Sequence, residues 1–329
     1  MRAFVTGGTG FVGGALVRHL LKNDLEVVAL ARAGADLRQL KGLNVNLVDG
    51  DLSSVNALKK GMDGCDWVFH VAALYAFWGY SWEEFYQSNV EGTRNVLTAA
   101  RQAGVRRVVH TSSIAVLAPP KQGDTANEDT PTHYEELVGF YKRSKYLAEG
   151  VVQEFVAEGL PVVIVNPSAP IGTGDWKPTA TGKVIVDYLN GKMPAYVQSH
   201  QNMVDVEDVA TGHLLAAQKG KIGERYILGG ENLTLKQYLD LLSEGSGLPP
   251  VKLRMPISVA LAWSYVDITL PKLIKGYRPT ATPDAVRIGR LHSYYDSGKA
   301  ERELGYTPGP VKAAVKKAVD WYRLNEYAP

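Results

Sequence analysis

The 329-residue chain holds a single cysteine, Cys65, so it carries neither a disulfide framework nor a thiolate metal cluster. Cys65 reads as a buried structural thiol. The seven histidines show no paired spacing such as H-x-x-x-H, and no metal centre is expected. No polybasic run exists and the formal net charge is only +2, which argues against a nucleic-acid partner. Uncharged apolar runs fall short of the ~18 to 20 residues that span a bilayer. The nearest approach, Met255 to Leu273, is interrupted by Pro256, Asp267 and Pro271. It reads as a pocket-covering or core helix, with peripheral membrane contact as the alternative. Internal repeats and low-complexity tracts are also missing. An apolar strand starts by Ala3, leaving no room for a signal peptide before it, so a cytoplasmic location is expected.

What is present is an ordinary globular composition, 45% hydrophobic and 21% charged, in a chain long enough for a large domain and a smaller appendage. Strand candidates at Arg2–Thr6, Leu25–Ala31, Val45–Val48, Trp67–Val71, Arg106–Thr111 and Pro161–Asn166 are rich in β-branched residues. Helical patterns at Phe11–Lys22, Ser54–Lys60, Trp82–Ala103 and Tyr141–Glu158 alternate with them. Such alternation predicts an α/β fold, a doubly wound parallel sheet covered on both faces. After residue 168 the pattern loosens, with helices predicted at Thr179–Asn190, Asp208–Gln218, Thr234–Glu244, Ile257–Leu270 and Val311–Tyr322 and a strand at Glu224–Leu228. The expected division is a nucleotide-binding domain over 1–167, its sheet completed by part of 200–228. Residues 168–200 and 229–329 then form a smaller α+β lid over the substrate.

Between the first strand and helix lies Thr6-Gly7-Gly8-Thr9-Gly10-Phe11-Val12-Gly13. Gly7, Gly10 and Gly13 permit a tight turn, close backbone approach to a pyrophosphate, and close helix–sheet packing; the helix N terminus adds N–H donors. A glycine triplet alone is weak evidence among 33 glycines, but its position after a strand and before a helix is specific.

The second strand ends Leu30-Ala31-Arg32 without the carboxylate that would bind an NAD ribose hydroxyl. Arg32, with Arg38 one turn into the next segment, suits a 2′-phosphate, so NADP(H) is expected over NAD. The bland alternative for Arg32 is a solvated loop side chain. Asp51-Leu52 suits an adenine-edge contact, and Val71-Ala72-Ala73 gives small residues where a cofactor passes closely.

Thr111-Ser112-Ser113 ends the fifth strand, on the edge where a nicotinamide would lie. Downstream, Tyr141 and Lys145 are four apart and project from one helix face. Carbonyl reduction needs a proton donor at the developing alkoxide. A tyrosine working near pH 7 needs its pKa lowered by roughly 3 units, which a lysine ammonium and a positive nicotinamide would supply. Ser113 would donate a hydrogen bond to the substrate oxygen. With 17 tyrosines and 20 lysines, about one Y-x-x-x-K arises by chance. Tyr188/Lys192 and Tyr295/Lys299 are further matches, but only Tyr141/Lys145 follows a Ser-bearing strand end.

At these residues the chain resembles the extended short-chain dehydrogenases/reductases over nearly its whole length. The matching elements include Thr6 to Gly13, Asp51-Leu52, His70 to Ala73, Asn89 to Thr93, Thr111 to Ser113, Tyr141 to Lys145 and Asn166-Pro167-Ser168. Asp296 to Ala300 and Leu304 to Pro308 resemble the family's closing segment. Within the family the chain is most similar to the dihydroflavonol-reductase-like branch, especially bacterial hopanoid-associated sugar epimerases, through Val165 to Gly172 and Gly223 to Leu233. The resemblance implies Tyr141 as general acid/base, Lys145 as its activator and ribose ligand, and Ser113 as the oxygen-orienting donor. It also implies Pro167 beside the carboxamide end of the cofactor, Asn89 in a supporting helix, and a homodimer built on residues 82–103 and 141–158, with a monomer as the other possibility.

One departure matters. Nucleotide-sugar epimerases of this superfamily place a phosphate-binding arginine where this chain reads Gln201-Asn202. The aromatic cluster Tyr75, Phe77, Trp78, Tyr80 and Trp82 suggests instead an apolar or aromatic substrate wall, Trp82 being better suited to a structural core. Trp78, Ser113, Asn166 and Ser168 are the expected substrate contacts. The leading expectation is an NADPH-dependent reductase of a small ketone or aldehyde. The alternatives are an NAD-dependent sugar or nucleotide-sugar epimerase/dehydratase and a non-catalytic NADP-sensing module.

Overall fold

The computed structural model describes residues 1–76, 78–120, 123–274, 277 and 282–329. The chain runs β1 (Arg2–Thr6), α1 (Phe11–Lys22), β2 (Glu26–Ala31), β3 (Val45–Asp49), α2 (Val55–Met62) and β4 (Trp67–His70). Next come α3 (Trp82–Phe85), α4 (Gly92–Ala103), β5 (Arg107–Thr111), α5 (Phe140–Ala157) and β6 (Val162–Pro167). The remainder begins with β7 (Ala169–Ile171), α6 (Ala180–Leu189), β8 (Ala195–Tyr196), β9 (His200–Asp205) and α7 (Val206–Lys219). It continues through β10 (Arg225–Leu228), β11 (Glu231–Thr234), α8 (Leu235–Ser246), β12 (Leu253–Arg254) and α9 (Ile257–Asp267). Three helices close it: α10 (Pro283–Gly289), α11 (Gly298–Leu304) and α12 (Val311–Leu324).

Seven strands form one parallel sheet in the order β10-β6-β5-β4-β1-β2-β3. The fold is therefore the doubly wound one expected. Its central strands are apolar on both faces because helices cover both. Val5, Val27, Phe69, Val109 and Val165 pack against α1 and α7. On the other face Phe4, Val28, Val68, Val108 and Ile164 pack toward α2, α4 and α5. Burial of this kind stabilises by about 25 cal/mol per Å² of apolar surface removed from water.

The later segments form a three-stranded sheet, β11-β9-β7, with a core of their own among α6, α8 and α12. β9 pairs in parallel with β7 and antiparallel with β11, so it stays out of the large sheet. Two predicted helices differ from their expected form. The run from Trp82 to Ala103 is one continuous rod but loosens to a π-helix over Tyr86–Glu91, which periodicity cannot reveal. The helix expected to reach Leu270 ends at Asp267, and a short 3-10 turn follows it.

Candidate active site

The carboxyl edge of the large sheet gathers nearly all the expected site residues. After β1 the chain turns at Gly7, whose φ of +76° favours glycine. A Cβ there would meet the Ala72 nitrogen at 2.7 Å, and one at Gly13 would meet the Gly7 carbonyl oxygen at 2.0 Å. The crossing of Val71-Ala72-Ala73 beside the glycine turn leaves no room for side chains. Thr6 fixes that crossing: its hydroxyl accepts the Ala72 N–H at 3.2 Å and bonds the His70 ring at 2.8 Å. Gly10 begins α1 without a side-chain cap, so the first-turn N–H groups of Phe11, Val12 and Gly13, next to Thr9, stay available to an anion. This cradle fits a dinucleotide pyrophosphate.

Arg32, just past β2, is exposed, and its side chain has no hydrogen bond or ion pair among the described residues. Its charge reaches Asp51 across the strand ends. Asp51 accepts from the Ser53 N–H at 2.9 Å and the Ser53 hydroxyl at 2.6 Å; chiefly that hydroxyl, with help from Arg32, holds its carboxyl below the usual range. Leu52 packs behind it on Gly92. Arg38 is differently placed than its spacing suggested. It opens a 3-10 turn, its guanidinium is clamped by Asp36 at 2.6–3.0 Å, and it stacks 4.6 Å from the centre of Trp176. Among the described residues the Arg32 side chain thus has no partner, whereas Arg38 is engaged.

At the reaction end, Ser113 follows β5 and hydrogen-bonds the Tyr141 phenol, while its hydroxyl also accepts the Ala115 N–H at 3.1 Å. Gly139, with φ +88°, turns the chain into α5 so that Tyr141 lies in the first turn and Lys145 in the second. Lys145 is 1% exposed, and its ammonium donates to the Thr111 carbonyl at 2.8 Å. Burial lowers its pKa to about 8, with the Glu149 carboxylate opposing that fall.

The chain's own electrostatics do not supply the lowering that Tyr141 needs; the expectation also counts on a positive nicotinamide. Burial pushes the Tyr141 phenol upward, and the Ser113 bond opposes only part of this. The chain alone therefore does not lower Tyr141 toward neutrality, because desolvation outweighs the Ser113 hydrogen bond. At neutral pH the phenol is protonated, as a proton donor must be.

Around Tyr141 the aromatic cluster divides. Tyr75 meets the Tyr141 ring edge-on, centroids 4.8 Å apart. Trp78 and Tyr80 stand about half exposed, whereas Trp82 packs on Tyr86 and Phe140 at about 6 Å, a structural arrangement. Phe77 lies outside the described residues.

Asn166, expected to touch substrate, is instead fully buried. Strand alternation turns it toward α5, where its amide donates to the Ser113 carbonyl at 3.0 Å and to Glu149 at 2.9 Å. It positions Ser113. Pro167 and Ser168 are buried at the end of β6, and among the described residues the Ser168 and Ser112 hydroxyls and the Asn166 side-chain carbonyl have no hydrogen-bond partner. Of these, the Ser112 and Ser168 hydroxyls lie at the strand ends and suit a polar ligand, whereas the Asn166 carbonyl faces α5. Asn89, in the π-helical segment, clamps Leu74 through its N–H at 2.6 Å and carbonyl at 3.0 Å, and donates to the Ser144 hydroxyl at 2.9 Å. Ser144 in turn donates to the Tyr141 carbonyl at 2.9 Å, so Asn89 braces the start of α5.

Glu149 escaped the sequence reading, although Tyr141, Lys145 and Glu149 repeat at every fourth position. It is 5% exposed, holds Asn166 and pairs with Arg225 at 3.1 Å. Its charge supports protonated Lys145. Glu149→Gln will lower the Lys145 pKa below about 8 and move the alkaline fall of activity to lower pH. A kcat–pH profile reads this directly; an unmoved alkaline limb would show that Glu149 acts only through packing.

Among the described residues no three His, Cys, Asp or Glu side chains cluster to hold a metal, and no helix is long and apolar enough to cross a membrane. A model of the NAD dependent epimerase/dehydratase family matches residues 3–229. The chain is 44% identical, over 98% of its length and 95% of the relative's, to a protein of Synechocystis sp. provisionally named dihydroflavonol 4-reductase. It is 35% identical to sterol demethylase protein B of Methylococcus capsulatus, covering 98% of both chains. Among solved structures, a nucleoside-diphosphate-sugar epimerase from Pseudomonas aeruginosa superposes with a TM-score of 0.83 at 26% identity, covering 100% of this chain and 99% of that one.

Proposed function

The chain belongs to the NAD dependent epimerase/dehydratase family and is an NAD(P)-dependent oxidoreductase, and from that premise we propose that it uses NADPH to reduce the ketone or aldehyde of an apolar small molecule, reversibly. The observation that carries this reading is the reaction edge itself: Ser113, Tyr141 and buried Lys145 converge there beside an aromatic wall. Tyr141 donates its phenolic proton to the substrate oxygen as negative charge develops on it. Ser113 donates a second hydrogen bond to that oxygen, and such donors are aimed at the charge of the transition state. Lys145 holds positive charge beneath the phenol and stabilises the tyrosinate left behind. A bound nicotinamide supplies the hydride.

Glycines 7, 10 and 13 with the α1 N terminus hold the pyrophosphate, and Asp51 with Leu52 flanks the adenine. Thr111, Val71, Ala72, Ala73 and Pro167 line the path to the nicotinamide. Arg32 supports NADPH as the preferred cofactor, since its guanidinium is unengaged where a 2′-phosphate would lie. Arg32→Ala should weaken NADPH binding by roughly ten- to a hundredfold, equivalent to a charge-assisted bond of about 1.5–3 kcal/mol, with NADH binding unchanged. Equal losses for both nucleotides would remove the case for NADP.

Tyr75, Trp78 and Tyr80 favour a flat, apolar substrate over a sugar nucleotide. Gln201 and Asn202 point the same way. Asn202 is fully buried and spends its amide on Gly230, Asn232 and Tyr295 of the lid, leaving no cation on β9 for a diphosphate. The names of the Synechocystis and Methylococcus relatives, a dihydroflavonol reductase and a sterol demethylase protein, agree with a multi-ring substrate.

A further inference from the structure

The outward face of α9 is inverted relative to an ordinary surface helix. Its buried seam is small and polar, Ala260, Ser264 and Asp267, with Asp267 accepting from the Tyr277 hydroxyl at 2.5 Å. The large apolar side chains Val259, Trp263 and Val266, at i, i+4 and i+7, form a stripe that is about half exposed. Leu273 and Ile274 extend the patch at 80% and 50% exposure. Surface helices normally turn such a stripe inward.

Charge identifies what covers it. Residues 252–290 hold seven Lys/Arg against two Asp, while the rest of the chain holds 29 Lys/Arg against 32 Asp/Glu. Lys252 and Arg254, just before α9 in the chain, are exposed, as are Arg287 and Arg290 at the end of α10, which packs on α9. Arg287 pairs with Asp284 at 3.3 Å and donates to the Tyr265 hydroxyl of α9 at 2.7 Å. An exposed apolar stripe within a segment of excess positive charge matches an anionic bilayer surface, where apolar residues enter the interface and basic ones meet head groups. A second copy of the chain fits poorly, because a two-fold contact would set this positive region against itself. We propose that the α9 face docks on anionic phospholipid.

Docking would serve the reaction edge. α10 packs on α9, and Asp284 near its start lies 3.9 Å from where a Gly139 Cβ would stand, two residues before Tyr141. A membrane-dissolved substrate thus meets the protein beside its proton donor. Only this last link rests on the proposed carbonyl reduction; the docking does not.

The test is co-sedimentation of the full chain with phosphatidylcholine vesicles, with and without phosphatidylglycerol. Wild type should sediment only with phosphatidylglycerol present and be released by high salt. The Val259→Ser/Trp263→Ser/Val266→Ser variant alters exposed positions only, and should bind more than about tenfold more weakly while retaining wild-type nucleotide affinity. Wild type remaining in the supernatant with phosphatidylglycerol vesicles would overturn the proposal. So would equal binding by the triple variant, or a concentration-dependent dimer abolished by that variant without vesicle binding. Failure of carbonyl reduction in solution, with vesicle binding intact, would count against the catalytic reading alone.

Discussion

Replacing Tyr141 with phenylalanine will lower kcat by about three orders of magnitude, within the range expected for loss of a general acid, and leave nucleotide affinity unchanged. The substitution removes one oxygen and keeps the ring that packs against Tyr75. The cradle formed by Gly7, Gly10 and Gly13 lies on another element and is untouched. Retained binding with lost turnover separates an enzyme from a nucleotide sensor, in which the phenol would have no task. Steady-state kinetics beside a nucleotide titration makes the measurement. Unchanged turnover would refute Tyr141 as the proton donor.

Gly13→Ala is the second large effect, and it acts through space rather than chemistry. The new methyl would stand 2.0 Å from the Gly7 carbonyl oxygen and 2.6 Å from its carbon, both backbone atoms that cannot rotate away. α1 must then back off the glycine turn. We expect a stability loss of about 1–3 kcal/mol, together with loss of measurable nucleotide binding. Gly150→Ala is the matched control: Gly150 lies within α5 and a Cβ there meets nothing within 4 Å. Alanine should stabilise that helix by roughly 0.5–1 kcal/mol. Thermal denaturation of the two variants, with and without nucleotide, gives opposite signs if the close packing at Gly13 is what matters. Two similar outcomes would deny it.

Much of this arrangement is legible in the sequence. α1 has the bounds read from its apolar periodicity, because Gly10 precedes it and Asn23 follows it with clear breaks in pattern. Five of the six early strands are visible because, covered on both faces, they are near-continuous apolar runs; the edge strand β3 is half exposed and shows instead as Val45, Leu47 and Val48 interspersed with polar residues. The seventh, β10, was found because Gly229-Gly230 ends it. Shorter strands such as β7, β8 and β12 have two or three residues and no period to detect.

For the site, contiguous motifs were readable and long-range partners were not. Ser113, Tyr141 and Lys145 stood out by spacing and context. Nothing local distinguishes Glu149 from a solvated helix glutamate; only the approach of Asn166 and Arg225, 17 and 76 residues away, buries it. Asn166 was misread because a motif places a residue near a strand end without saying which face it takes. Asp36, two residues before Arg38, pairs with its guanidinium, a local capture that the spacing of the two arginines does not reveal. The upward push on Tyr141 depends on burial by distant segments and has no signature in Y-x-x-x-K.

The most direct test of the central claim is the nucleotide state of the purified protein, followed by fluorescence titration with NADPH and NADH. A reductase that exchanges cofactor each cycle should purify free of nucleotide and bind NADPH reversibly, at least about tenfold more tightly than NADH. Tightly retained NAD, not displaced by NADPH, would contradict the account and make epimerisation the better reading.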